Sequence, residues 1–127
     1  NVKFPMVMFS EMTKGEMLKR VDYCLERVGM SGTNKLFPAE LSGGMKKRIG
    51  IARALYHNPQ ILILDEATSA LDNQTEKAVM EAVNNLSKDI TIILIAHRVN
   101  TVKNCDIIFK LDKGHLIGQG KFDELFK

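Results

Sequence analysis

Two short apolar runs constrain this chain more than any other feature. Ile61-Leu62-Ile63-Leu64 and Ile92-Ile93-Leu94-Ile95-Ala96 are rich in β-branched residues and leucine, show no alternation, and are too short for helices. Runs of this kind read as strands buried on both faces, with Thr91 opening the second. Between them lies a stretch of helical periodicity, and strand, helix, strand in that order makes a parallel pair in an α/β layer. Two strands do not form a stable sheet alone. The expected fold class is therefore α/β with only part of its parallel-sheet core in these 127 residues.

Three long helices are predicted. Thr13-Lys14-Gly15-Glu16 is a capping box, opening a helix to about Val28 whose apolar face is Met17, Val21, Cys24, Leu25 and Val28. Gly29 and Ser31-Gly32 end it. A second helix runs from Met45 to about Tyr56, with Ile49, Ala52 and Leu55 at helical spacing, and Asn58-Pro59 stops it. The third spans Asn73 to Leu86, with Ala78, Val79, Ala82, Val83 and Leu86 inward. Further on, Val99 to Lys103 reads as a short helix. Asp106 to Leu111 and His115 to Ile117 form a hairpin about Asp112-Lys113-Gly114, and Phe122 to Phe126 is a short amphipathic end. The apolar start, Asn1 to Phe9 with Pro5 inside it and no initial methionine, is expected to be cut from something longer.

Composition removes several function classes. With a net charge of +3, one tight basic cluster (Lys46-Lys47-Arg48), no Trp and only two Tyr and six Phe, the chain is poorly equipped to stack nucleic-acid bases, and no nucleic-acid partner is expected. Cys24 and Cys105 form no metal-ligand pair and suit free thiols in a reducing compartment. Neither apolar run approaches the roughly 20 residues that span a bilayer. No signal peptide is visible, so the chain itself is expected to be soluble.

Three places carry candidate chemistry. Ser42-Gly43-Gly44 opens a helix, where free backbone N–H groups and the helix dipole can bind phosphate; the alternative is a plain serine cap on a flexible turn. Asp65 and Glu66 directly follow the first strand, at the sheet edge where α/β folds place ligands. There Asp65 can hold Mg²⁺ and Glu66 can orient or deprotonate a water, unless the pair is only an acidic turn. His97 follows the second strand and can hydrogen-bond a phosphate oxygen, or serve structure alone. His57 and His115 have no such setting and read as structural. Ser42 precedes Asp65 by 23 residues and His97 follows Glu66 by 31, room in each case for a helix and a strand.

In this order the motifs resemble the ATP-binding-cassette (ABC) ATPases. Leu41-Ser42-Gly43-Gly44, with Arg48 to Leu55 behind it, is similar to the signature motif. Ile61 to Glu66 resembles the Walker B strand with its catalytic glutamate, Ser69-Ala70-Leu71-Asp72 the D-loop, and Ile95-Ala96-His97-Arg98 the switch-histidine loop. The resemblance implies a P-loop NTPase-like fold, with a helical subdomain over 1–58 and the Walker B, D-loop and switch-histidine half of the core over 59–127. It implies ATP and Mg²⁺ as ligands, with Ser42, Gly43, Gly44 and Asp72 as nucleotide-site residues, Asp65 at the metal, and Glu66 and His97 as catalytic residues. The Ser42–Gly44 turn would meet the γ-phosphate of ATP held by a second ABC subunit in a head-to-tail dimer, and Asp72 would carry communication between the two sites. A transmembrane transporter subunit or domain and a place at the cytoplasmic face of the membrane are implied as well.

The chain departs from the pattern in two ways. It contains no G-x-x-x-x-G-K-[ST] phosphate loop and no upstream adenine-stacking aromatic, so these residues alone are expected to bind ATP weakly and hydrolyse it negligibly. Met45 stands where most members have glutamine. Met45 to Arg48, Phe4 to Phe9 and Cys24 to Val28 resemble importer-type ATPases of lipid trafficking, whereas Asp65 to Asp72, Ile95 to Arg98 and Lys113 to Gly120 resemble exporters. Phe4 to Phe9 fits either a groove for the membrane subunit or core uncovered by truncation. The competing function is a non-catalytic module that only donates its signature surface, although such a module has no need of Glu66. A DNA-maintenance or translation ATPase is disfavoured by the Ala67 to Asp72 and Ala96-His97-Arg98 wording.

Overall fold

The computed structural model describes residues 12–86 and 88–126; the apolar run Phe4 to Phe9 lies outside them. The chain forms two compact units, Asn1–Ile95 and Ala96–Lys127.

In the first unit, α1 spans Lys14–Arg27 and starts at the expected capping box. The Glu16 amide donates to Thr13 Oγ1 at 3.3 Å and the Thr13 amide donates to Glu16 Oε2 at 2.8 Å. Its far end is a Schellman turn, with Gly29 in the left-handed region at φ 66°. The Gly29 amide donates to the Glu26 carbonyl at 3.0 Å and the Met30 amide to the Leu25 carbonyl at 2.8 Å. Val21, Cys24, Leu25 and Val28 are buried and Met17 packs at the edge of the same face.

α2 spans Gly43–Ala54 and tightens into a 3-10 turn, Leu55–His57. It begins two residues before the expected Met45, because Ser42 caps it and draws both glycines into the first turn. The unit's third helix, α3, spans Asn73–Leu86 and buries Val79, Ala82, Val83 and Leu86, with Ala78 half-buried.

β1 (Ile61–Asp65) and β2 (Thr91–Ile95) pair in parallel, Ile61 opposite Thr91 through Asp65 opposite Ile95. One expectation fails here. The strands are not buried on both faces: Leu62 and Leu64 enter the helical core, while Ile61 and Ile63 are 56% and 64% exposed. β2 repeats the alternation, with Ile93 and Ile95 exposed. An unbroken apolar run has no period, so it reads the same whether one face is covered or two.

In the second unit, a 3-10 turn covers Val99–Val102, and β3 (Ile108–Asp112) and β4 (His115–Gly120) form the expected antiparallel hairpin. Lys113 and Gly114 both have positive φ, 47° and 80°, as a tight two-residue hairpin turn requires. A register shift falls between Lys110 and Leu111. The last element, α4 (Phe122–Leu125), packs on β4.

Candidate functional site

Ser42 adopts extended backbone, and its Oγ accepts from the Met45 amide at 3.2 Å. The Lys46 amide donates to the Ser42 carbonyl at 3.0 Å. Gly43 and Gly44 are then the first two helical residues, whose N–H groups have no partner within the helix. Capping uses a lone pair of the serine oxygen and leaves its O–H to be donated. The plain cap and the phosphate-facing turn, alternatives in the sequence, are therefore compatible in one geometry.

The basic cluster behind this turn divides. Lys46 is exposed, whereas Arg48 Nη1 donates to the Gly29 carbonyl at 3.2 Å, at the C-terminus of α1. Arg48 Nε is buried without a hydrogen-bond partner. Arg48 thus joins two helices, and only part of the cluster is a solvated face.

Asp72 caps α3. Its Oδ1 accepts from the Gln74 and Thr75 amides at 3.1 and 3.0 Å, and its Oδ2 accepts from the Thr75 hydroxyl. The Thr75 bonds, side chain first, hold the Asp72 carboxyl below the usual aspartate range. This start of α3 lies against the start of α2. A β-carbon at Gly43 would be 3.8 Å from Leu71 Cδ2, and one at Gly44 would overlap the Thr75 γ-methyl outright. Ser42, Gly43, Gly44 and Asp72 thereby share one packed corner.

Asp65 and Glu66 sit exposed at the C-terminal end of β1, as expected. Glu66 is left-handed, at φ 46°, an uncommon state for a side-chain-bearing residue. Hydrogen bonds hold it there: its amide donates to the Ile95 carbonyl at 3.0 Å and its carbonyl accepts from the Ser69 amide at 2.9 Å. Beyond it Thr68 is buried and donates to Glu76 Oε1 at 3.3 Å, fastening the loop to α3. His97 is exposed and belongs to the second unit, two residues past the end of β2.

Thr68 and Thr75 were not among the sequence candidates. A signal for the cap itself existed, since an aspartate just before a helix is a preferred cap residue, but no local rule marks Thr75. As for Mg²⁺, no group of three or more His, Cys, Asp or Glu able to hold a metal occurs among the described residues. The exposed Asp65 carboxylate still fits the ion, which commonly takes one or two carboxylates and completes its shell with water and phosphate oxygens.

The family model described as ABC transporter matches residues 2–69, more than half of the chain. The chain belongs to this family. Among curated relatives, the methionine import ATP-binding protein MetN 2 of Pseudomonas entomophila (strain L48) is 43% identical over 129 aligned residues, covering 99% of this chain and 38% of that protein. The MetN protein of Geobacillus kaustophilus (strain HTA426) is 41% identical and likewise covered over 38% of its length. The chain thus spans well under half of these relatives. Among solved structures, the dimeric post-hydrolysis state of the ATP-binding cassette MJ0796 bound to ADP and Pi superposes with a TM-score of 0.77 at 29% identity, over 95% of this chain and 54% of that one. A bacterial Atm1-family ABC exporter with ATP bound gives 0.73 at 32% identity, over 98% and 22%. These neighbours carry the ABC ATPase fold expected from the sequence.

Proposed function

We propose that the chain supplies the signature and Walker B share of an ABC ATPase that hydrolyses ATP to drive transport across a membrane. One observation carries the reading: the Ser42–Gly44 turn and the Asp72 cap occupy one corner of one unit, so both can face the same nucleotide. In this reading residues 1–58 are the helical subdomain and 59–127 the Walker B half of the core. The Ser42 hydroxyl and the Gly43 and Gly44 amides address the γ-phosphate of ATP held by a second, head-to-tail subunit. Asp72 carries communication between the paired sites.

Glu66, fixed by its backbone bonds at the sheet edge, orients or deprotonates the attacking water, and His97 hydrogen-bonds the γ-phosphate. Asp65 would hold Mg²⁺, which when bound neutralises phosphate charge. Similarity to a dimeric cassette and to an exporter with ATP bound supports the paired site and a transmembrane partner, and in this reading the chain works at the cytoplasmic face of the membrane. The methionine-import relatives, matching 99% of the chain, favour an importer over the exporter wording of its second half.

The test is Mg-ATPase activity of the polypeptide as its gene encodes it. Glu66→Gln is expected to lower turnover by about 10²–10⁴-fold while ATP binding persists. Hydrolysis indifferent to Glu66→Gln would sink the proposal. The 127-residue polypeptide alone, which contains no phosphate loop, is expected to give no calorimetric heat with Mg-ATP. Micromolar binding that Ser42→Arg removes would instead show the signature helix holding phosphate unaided.

A further inference from the structure

The contact between Gly44 and Thr75 assigns a role to a residue outside the motifs. We infer that Thr75 is a positioning residue for the signature turn: its γ-methyl is the stop against which Gly44 seats, and Asp72 fixes the direction of that methyl. Three observations meet here. A β-carbon at position 44 would overlap Thr75 Cγ2, whereas the next nearest atom, Thr75 Cβ, stands at an ordinary 3.6 Å. The Thr75 hydroxyl donates to Asp72 Oδ2, so the rotamer that aims the methyl at Gly44 is held by a charge-assisted bond. Gly44 is buried and its φ lies outside the left-handed region, so packing rather than backbone conformation excludes a side chain there. Residue 44 is therefore specified from inside the chain, and Asp72 reaches the Ser42–Gly44 turn through Thr75.

The inference rests on the proposed nucleotide role for its functional consequence, but not for its steric content. A double-mutant cycle tests both. Gly44→Ala alone is expected to raise the KM for ATP about tenfold and to lower the nucleotide-free melting temperature, as overpacking does. In the Thr75→Ser background, which removes the methyl and keeps the hydroxyl bond, the same Gly44→Ala change is expected to cost less than about threefold in KM and to restore the melting temperature. If Gly44→Ala alone does not fold, recovery of a folded double variant supports the inference. A penalty equal in both backgrounds, or a double variant that is also unfolded, overturns it and leaves Gly44 needed for something other than Thr75. All variants are made in the polypeptide as its gene encodes it; absence of ATP turnover in every one, wild type included, would count against the proposed function, while the melting temperatures still decide the role of Thr75.

Discussion

The Arg20 guanidinium on α1 donates to the Leu55 carbonyl at 2.8 Å, tying the first helix to the far end of the helix that Ser42 opens. The same nitrogen donates to the Tyr56 carbonyl at 2.8 Å and to the Asn58 side-chain oxygen. These carbonyls lie at the helix end, where the Asn58 amide also donates to Leu55 at 3.2 Å and the helix dipole favours a cation. The Ser42 cap at one end and Arg20 at the other fix both termini of α2.

Arg20→Ala should therefore destabilise the chain by about 2 kcal/mol, because the charged donor shared by the Leu55 and Tyr56 carbonyls is removed. Arg20→Lys should recover part of this, since a single ammonium nitrogen can donate to the same acceptors but sits on a shorter stem. Urea midpoints of the two variants check the claim, and a loss below about 0.5 kcal/mol for alanine would show the link to be idle.

The Asp72 cap makes a pH dependence. Its carboxyl is held low by the Thr75 bonds, so it binds a proton less readily folded than unfolded. The stabilisation is complete above the ordinary aspartate value of about 3.9 and is lost as pH falls through the lower folded value. Glu16 is shifted the same way by Thr13 and contributes in the same window. Asp72→Asn should flatten, without abolishing, the fall in stability below about pH 4 seen by urea titration at successive pH values. An unchanged slope would count against the cap.

Stability and chemistry are opposed at Glu66, which stands at φ 46°. Glu66→Gly should raise stability by about 1 kcal/mol, because glycine enters the left-handed region without the cost a β-carbon incurs. The same change should abolish hydrolysis. A drop in stability would mean that side-chain contacts of Glu66 outweigh its backbone strain.

The two sides of β1 should respond unequally. Leu64→Ala opens a cavity in the helical core and should cost about 2–5 kcal/mol, while Ile63→Ala on the exposed face should cost under about 1 kcal/mol. Equal losses would show that the Ile63 face is covered in solution.

The thiols should differ in the same way. Cys24 is fully buried, and burial raises its pKa; Cys105 is half-buried and raised by burial together with the Asp106 charge. Under native conditions an alkylating reagent should modify Cys105 first and Cys24 only as the chain unfolds. Simultaneous labelling would contradict the packing of α1.

Local rules made most of the elements legible. Thr13 with Glu16, the glycine after Val28, the Asn58-Pro59 stop and the Asp112-Lys113-Gly114 turn each act within a few residues, and each stands where the sequence placed it. The site motifs were legible as words, because Ser42, Asp65 and Glu66 follow directly from where a helix starts or a strand stops. What could not be read was contact across the fold. Nothing near Gly44 in sequence announces Thr75, and nothing in Ile61 to Leu64 distinguishes a covered face from an open one. The left-handed turn at Glu66 was equally hidden, since glutamate carries no preference for it and the Ile95 and Ser69 bonds impose it.

The close approach of positions 44 and 75 also fixes an order on inheritance. A lineage that first exchanges Thr75 for serine keeps the Asp72 bond, and can afterwards accept alanine at 44 at little penalty. One that meets alanine at 44 first must pass through an ancestor whose two helices collide. The same pair of substitutions is thus open to drift from one side and closed from the other.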